Sequence, residues 1–319
     1  MVKLQYEKFS LPIRILLGVV CLFLPPVAYY FIFTKREGTV GSKIVNCIAY
    51  TVLWIFAASL LLFVFWAVYN SLKDGEAFFY DKVALPETLL FSNYLEAYEL
   101  IEYNGSTLLD MFFNSVWYSA GSSFLTIFMH AVTGYIFAKY DFPFKETAFK
   151  FILFTLALPI VGSLPSLYKI VYFMEIEESP LFLITSLGGF GSNFLIMYSY
   201  FKGIDKTYME AADMDGASRF GIFFKIMLPL AVAPCLSLFL LTFIGQWNNY
   251  ETILIFLDTM PTLSTGLYYF QEEVRHSGTA FHDTVNMAGV LMASIPVVIL
   301  VTLFGDKIMS NVSMGGIKG

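Results

Sequence analysis

The chain has 319 residues, 57% of them hydrophobic and only 14% charged, with a net charge of −6 and a mean hydropathy of +0.68. That balance excludes a soluble globular domain and leaves an integral membrane protein. Its apolar runs are continuous rather than alternating, so the predicted spans are helices and not barrel strands.

Crossing ~30 Å of hydrocarbon takes roughly 18 or more helical residues, and seven uncharged runs meet that length: 15–34, 44–69, 111–138, 151–168, 179–201, 226–250 and 284–305. The first contains Pro25-Pro26 and leads into Thr34-Lys35-Arg36 with no small-residue cleavage pattern, so it is read as retained rather than as a signal peptide. The basic residues on its two sides balance (Lys3, Lys8 and Arg14 against Lys35, Arg36 and Lys43). Loop charge therefore leaves two readings, a span with the N-terminus outside, which we adopt, or a hairpin bent at the prolines. The three cysteines, Cys21, Cys47 and Cys235, all lie inside apolar runs without ligand spacing and read as small packing residues.

The loops that follow alternate in charge. Segments 70–110, 174–178 and 251–283 together hold three basic residues and sixteen acids, whereas 35–43, 139–150 and 202–225 hold ten basic residues. Lysine and arginine resist translocation, so the second set is predicted to be cytoplasmic, together with the tail from Asp306. The acidic segment 70–110, with Leu95, Tyr98, Leu100 and Ile101 among its acids, is expected to fold as short helices. His130 stands alone in a span and reads as a satisfied polar contact. His276 and His282, near Glu272, Glu273 and Asp283, read as exposed polar residues and not as metal ligands.

The stretch YMEAADMDGASRFGIFFKIMLP, residues 208–229, is the chemically distinctive part of the basic side. Asp205 is placed to cap a short helix on which Tyr208, Ala211 and Ala212 fall at i, i+3 and i+4, a small-residue face fit for docking. Glu210 points off an adjacent face, and Gly216 supplies the left-handed stop. Ser218 then caps a second helix whose Phe220, Phe223, Phe224 and Met227 form an apolar stripe, and Leu228-Pro229 opens the next span.

Glu210, Ala211, Ala212, Gly216, Ile226, Leu228 and Pro229, seven positions in twenty residues, resemble the EAA loop of permease subunits in binding-protein-dependent ABC importers. The resemblance implies that this loop couples transport to a separate ATPase, with Glu210 facing basic groups there. Weaker strings are similar to the carbohydrate branch, in particular its shorter maltose-type permease: Phe113-Asn114-Ser115, Ala138-Lys139-Tyr140-Asp141-Phe142-Pro143, Leu158-Pro159, Trp247-Asn248-Asn249-Tyr250 and the terminal Gly315-Gly316-Ile317-Lys318-Gly319. They cover about residues 52–319. The family's six spans would be runs two to seven, with the first an addition.

Trp247, Asn248, Asn249 and Tyr250 have the chemistry of a sugar path, an aromatic face for C–H surfaces and amides that donate and accept, and equally that of an interfacial belt. Asn193, after Gly188-Gly189-Phe190-Gly191, is a second amide that must find substrate, water or another helix. Those glycines lie inside a membrane run and not after a strand, so they read as helix packing. No phosphate-binding loop occurs: Gly38-Thr39-Val40-Gly41-Ser42-Lys43 has the wrong spacing. No catalytic, metal or cofactor site is expected, and ATP would be used by the partner.

The expected fold is an all-α polytopic membrane bundle, a six-helix importer core plus one N-terminal hydrophobic segment. It divides into that segment and linker (1–43), a first core span with its acidic external loop (44–110), the permease core with coupling loop 202–228 (111–306), and a cytoplasmic tail (307–319). The implied partners are a second permease, two ATPase subunits, an extracytoplasmic sugar-binding protein, a sugar or oligosaccharide, and membrane lipid, with no nucleic acid, at the inner cell membrane. Amino-acid, polyamine and phosphate permeases share the loop. A secondary transporter or channel would need an ionisable relay or inverted repeat in the spans, and the runs carry no acid or lysine.

Overall fold

A computed structural model describes residues 40–158, 163–277 and 282–314. The first hydrophobic run and the terminal Gly315–Gly319 string lie outside the described residues. The chain divides into two compact units, Met1–Leu89 and Leu90–Gly319, and among the described residues both are helical without named strands.

In the first unit, α1 (Val40–Ser71) holds a candidate span, Ile48–Ser71. The acidic loop begins with α2 (Gly75–Tyr80), capped by Asp74, whose carboxylate accepts the amides of Glu76 at 3.0 Å and Ala77 at 3.2 Å. The loop then returns to α1, where the Trp66 indole donates to the Lys82 carbonyl at 2.9 Å and the Tyr69 hydroxyl to that of Val83 at 3.0 Å.

In the second unit, α3 (Ser92–Leu100) completes the short helices expected of that loop. The long α4 (Leu108–Lys139) follows, opened by a capping box between Thr107 and Asp110. Then come α5 (Lys145–Ala157), α6 (Ser163–Phe173), a 3₁₀ turn (Pro180–Leu187) and α7 (Ser192–Gly203). After α8 (Thr207–Met214) the chain runs through α9 (Arg219–Ile222), a π turn (Phe223–Met227) and α10 (Leu228–Leu230) into α11 (Val232–Trp247). The last elements are α12 (Tyr250–Phe256), α13 (Leu263–Ser277) and α14 (Asp283–Met314).

The apolar runs become three kinds of structure. Among the described residues, α1, α4 and α14 contain single helices long and apolar enough to cross a membrane. The fifth and sixth runs are bent pairs, Pro180–Leu187 with Ser192–Gly203 at 56°, and Arg219–Leu230 with Val232–Trp247 at 73°. The fourth run is divided between α5 and α6, and Leu158, which precedes Pro159, is already extended (φ −80°, ψ 131°), as the proline ring demands of its predecessor. The final helix continues past Asp306 to Met314, so the expected tail begins as helix.

Helix α4 is the spine of this unit, packing chiefly on α7 and α11. Hydrocarbon offers no water to a backbone group freed by a helix break, so a side chain must supply the partner. Thr126 donates to the Ser186 carbonyl at 3.2 Å and Thr133 to that of Gly189 at 2.7 Å, both at the bend between the 3₁₀ turn and α7. The Lys139 ammonium donates to the Ile204 carbonyl where α7 ends. At the other end of α4, Asn114 donates to the Pro261 carbonyl at 3.0 Å, and Ser115 accepts the Leu263 amide at 2.8 Å.

Contact between α4 and α7 is close because Gly134 has no side chain. A β-carbon there would stand 2.9 Å from the Tyr198 amide nitrogen and 3.0 Å from Met197 Cβ. Gly134→Ala is therefore expected to force the two helices apart at a cost of about 1–3 kcal/mol. Thermal unfolding in detergent should show a lowered midpoint, and an unchanged midpoint would mean that this crossing yields without strain.

Candidate functional site

The loop from Asp205 to Pro229 is built by local rules and then anchored from beneath. Asp205 accepts the Thr207 amide at 3.0 Å, which holds its carboxyl below the usual range. After α8, Gly216 takes φ +77° with open space around it. Its amide donates to the Asp213 carbonyl at 3.1 Å, and the Ala217 amide donates to that of Ala212 at 3.0 Å. Ser218 caps α9 through the Gly221 amide at 3.1 Å.

The two helical faces differ from their expected composition. Met209 and Ala212 are buried, whereas Tyr208, Glu210, Ala211 and Met214 are exposed. Ala212 therefore serves the protein's own packing, and the outward face is Tyr208, Glu210 and Ala211. The aromatic stripe divides likewise: Phe223 and Met227 are buried, but Phe220 and Phe224 are exposed. Met209, Ala212, Ile222, Phe223 and Met227 join Ala131 and Tyr135 of α4 and Met197 and Phe201 of α7 in one apolar cluster, with Ile226 packed at its edge. A π turn follows, in which the Leu228 amide donates five residues back to Phe223, just before Pro229, whose ring cannot accept ordinary α-packing on the carbonyl of Lys225.

The 73° bend is handled in the same way. Pro234 has no amide to give Leu230, and the Tyr200 hydroxyl fills the vacated carbonyl at 2.7 Å. A second tie crosses the glycine turn. Arg219 lies 3.6 Å from Asp213 and 5.5 Å above the Tyr140 ring, while the Tyr140 and Tyr135 hydroxyls meet at 3.0 Å. Glu210 makes no ion pair or side-chain hydrogen bond among the described residues, and it projects from the first turn of α8.

The proposed sugar-path residues have structural work. Trp247 is buried, donates to the Ala293 carbonyl at 3.1 Å and stacks on Phe243, so it presents no aromatic face. Asn248 donates to the Ile244 carbonyl at 2.8 Å, and Asn249 caps α12 through the Thr252 amide at 3.1 Å. Tyr250 stacks on Tyr268 at 4.5 Å. Asn193 reaches Thr242 at 3.3 Å, an α7–α11 link. His130 is buried against Gly191, whose β-carbon would lie 3.2 Å from Nε2, and neither ring nitrogen has a partner among the described residues; the expected polar contact is instead close packing.

Sequence reasoning took His130 singly and did not join it to Ser115, Ser119, Ser122, Ser123, Thr126 and Thr133 on one face of α4, although the helical spacing was visible. It also missed a hub at the other end of α4, a helix about 48 Å long by its rise. There Asp258 accepts from Tyr103 at 2.6 Å and Asn104 at 2.9 Å, and Glu178 accepts the Asp258 and Thr259 amides at 3.0 and 2.9 Å. Those partners lie far apart in sequence.

Against this geometry, the family model described as binding-protein-dependent transport system inner membrane component matches residues 130–310, which include the whole loop and both bends. The chain belongs to this family. The chain is similar to the probable ABC transporter permease protein YurM of Bacillus subtilis, 27% identical over 277 residues, 84% of this chain and 89% of that protein. It resembles the arabinooligosaccharides transport system permease protein AraQ of the same species (27% identity, 85% and 96% covered). It also resembles the sulfoquinovosyl glycerol transport system permease protein SmoH of Agrobacterium fabrum (26% identity, 82% and 92% covered). In fold it matches a bacterial ABC transporter involved in import of the acidic polysaccharide alginate, with a TM-score of 0.68, 21% identity and coverage of 85% and 99%.

The two alanines of the loop should respond oppositely to enlargement. Ala212→Leu overfills the buried cluster and is expected to cost about 1–3 kcal/mol, read as lost folded protein after detergent extraction. Ala211→Leu, on the exposed face, should leave yield unchanged. Equal yields for both would contradict the orientation of α8.

Proposed function

We propose that this chain is one of the two permease subunits of a sugar or oligosaccharide importer, and that residues 205–228 couple its spans to a separate ATPase. The observation that carries the coupling role is the two-sided character of α8. Its underside is locked into the cluster shared by α4 and α7, while Tyr208, Glu210 and Ala211 face outward. A partner gripping that face moves the ends of two spans with it. The sugar reading draws on the carbohydrate names of AraQ and SmoH, together with the weaker sequence strings.

In this reading the basic loops and the C-terminus are cytoplasmic. ATP binding closes two partner ATPases, the gripped loop follows, and the spans turn from inward-facing to outward-facing. The chain itself performs no hydrolysis and binds no cofactor. The hub around Asp258 and Glu178 lies on the outer side, where it stiffens the loops that would receive a solute-binding protein. Asn193, Asn248, Asn249 and Tyr250 keep partial or full exposure and are the remaining candidates for substrate contact.

Glu210→Ala combined with Gly216→Pro tests the coupling. Proline cannot adopt φ +77° and removes the amide bond to Asp213, while the alanine deletes a charge-assisted contact of roughly 1.5–3 kcal/mol. Uptake in proteoliposomes of the assembled importer is expected to fall about tenfold or more, with membrane insertion intact and ATPase activity no longer tied to substrate. Normal uptake would reject the coupling role.

A further inference from the structure

A cavity of about 240 Å³ opens between α4, α5 and α7, lined by Phe137, Lys145, Glu146, Phe149, Lys150 and Tyr198. It has an aromatic floor: Phe149 lies 4.7 Å from Tyr198, and Phe137 meets the buried Phe194 at 5.5 Å. Its rim is cationic. Lys202 reaches over Tyr198 at 5.5 Å, and Lys150 is exposed with no ion pair or side-chain hydrogen bond among the described residues. Lys145 is already engaged, with the Tyr140 carbonyl at 2.7 Å and the Asp141 carboxylate at 3.0 Å, and Glu146 is the other acid present. Three lysines thus face two carboxylates.

The cavity lies where the chain passes from span to loop, between the end of α4 at Lys139, the start of α5 and the last turns of α7. Beside it, Phe144 holds a left-handed backbone (φ 62°) and is 83% exposed. A bulky aromatic rarely accepts that conformation, yet here it is exposed, as are Phe151 and Phe154 of α5. An aromatic-floored cavity with free ammonium groups, flanked by outward phenylalanines at the membrane boundary, matches a lipid with an anionic headgroup and apolar tails.

We infer that this cavity binds an anionic phospholipid of the leaflet on the coupling-loop side, with its phosphate between Lys150 and Lys202 and its glycerol end over Phe149 and Tyr198. The site rests on the orientation proposed above only for the choice of leaflet. Zwitterionic lipid gains less because its own cation meets the lysines. The bound lipid would hold α5 against α4 and α7 directly beside the coupling loop.

The test uses the purified importer complex in phosphatidylcholine vesicles containing a trace photoreactive analogue of either phosphatidylglycerol or phosphatidylcholine, with adducts mapped by mass spectrometry. Labelling around residues 144–154 and 198–202 is expected to favour the phosphatidylglycerol analogue by about fivefold. K150Q with K202Q should abolish that preference, and E146Q, which removes an opposing charge, should raise it. Equal labelling by both analogues, or a preference unmoved by these variants, would overturn the site. Competition by inorganic phosphate at the same residues would also overturn it, reassigning the cavity to a free anion. Preferential labelling from the opposite leaflet would keep the site and overturn the orientation, so the two readings fail separately.

Discussion

Everything in the larger unit depends on how backbone carbonyls are satisfied where helices break inside a membrane. An unpaired peptide group in hydrocarbon costs several kcal/mol, yet this chain bends by 56° and 73° in two of its spans. Helix α4 resolves most of that conflict by carrying hydroxyl donors along one face and an ammonium donor at its end. Thr126, Thr133 and Lys139 each complete a carbonyl at or beyond the first bend, and Tyr200 of α7 completes the one left by Pro234 at the second. The breaks are thereby fixed in position, which is the condition for using them as joints.

The 205–229 loop inherits its rigidity from the same spine. An eight-residue helix is not stable alone, so α8 exists because Met209 and Ala212 bury into the α4–α7 cluster. The glycine at 216 permits the reversal, and the Asp213–Arg219–Tyr140–Tyr135 chain ties both halves of the loop to the last turn of α4. A push on the outward face reaches two spans through packed side chains and leaves little slack within the loop. At the far end of α4, the Asp258–Glu178 hub binds three connecting segments together, so displacement of α4 would be felt by those segments as a body.

What could be read from sequence was whatever local rules decide. Gly216, Ser218 and Asp205 behave as their positions require, because a left-handed stop and a cap depend on immediate neighbours. The choice between Ala211 and Ala212 could not be read, since both sit on a small-residue helix and only the tertiary partner selects which turns inward. The Trp247–Tyr250 cluster was ambiguous for a chemical reason: amides that bind hydroxyls are the same amides that cap helices, and here Asn249 caps α12. Hydropathy also hid the break in the fourth run, because Leu158 and Pro159 score as apolar or neutral while the proline forces its predecessor out of the helix. The overall helical class was plain because it follows from composition and the bilayer alone.

The central claim is that the outward face of α8, and not its buried face, meets a separate ATPase. A photoreactive side chain placed at residue 211 in the assembled importer, and separately at residue 212, measures this most directly. Irradiation should capture the ATPase subunit from position 211, while position 212 should yield only adducts within this chain. Capture from 212 in preference to 211, or from neither while uptake remains normal, would contradict the account.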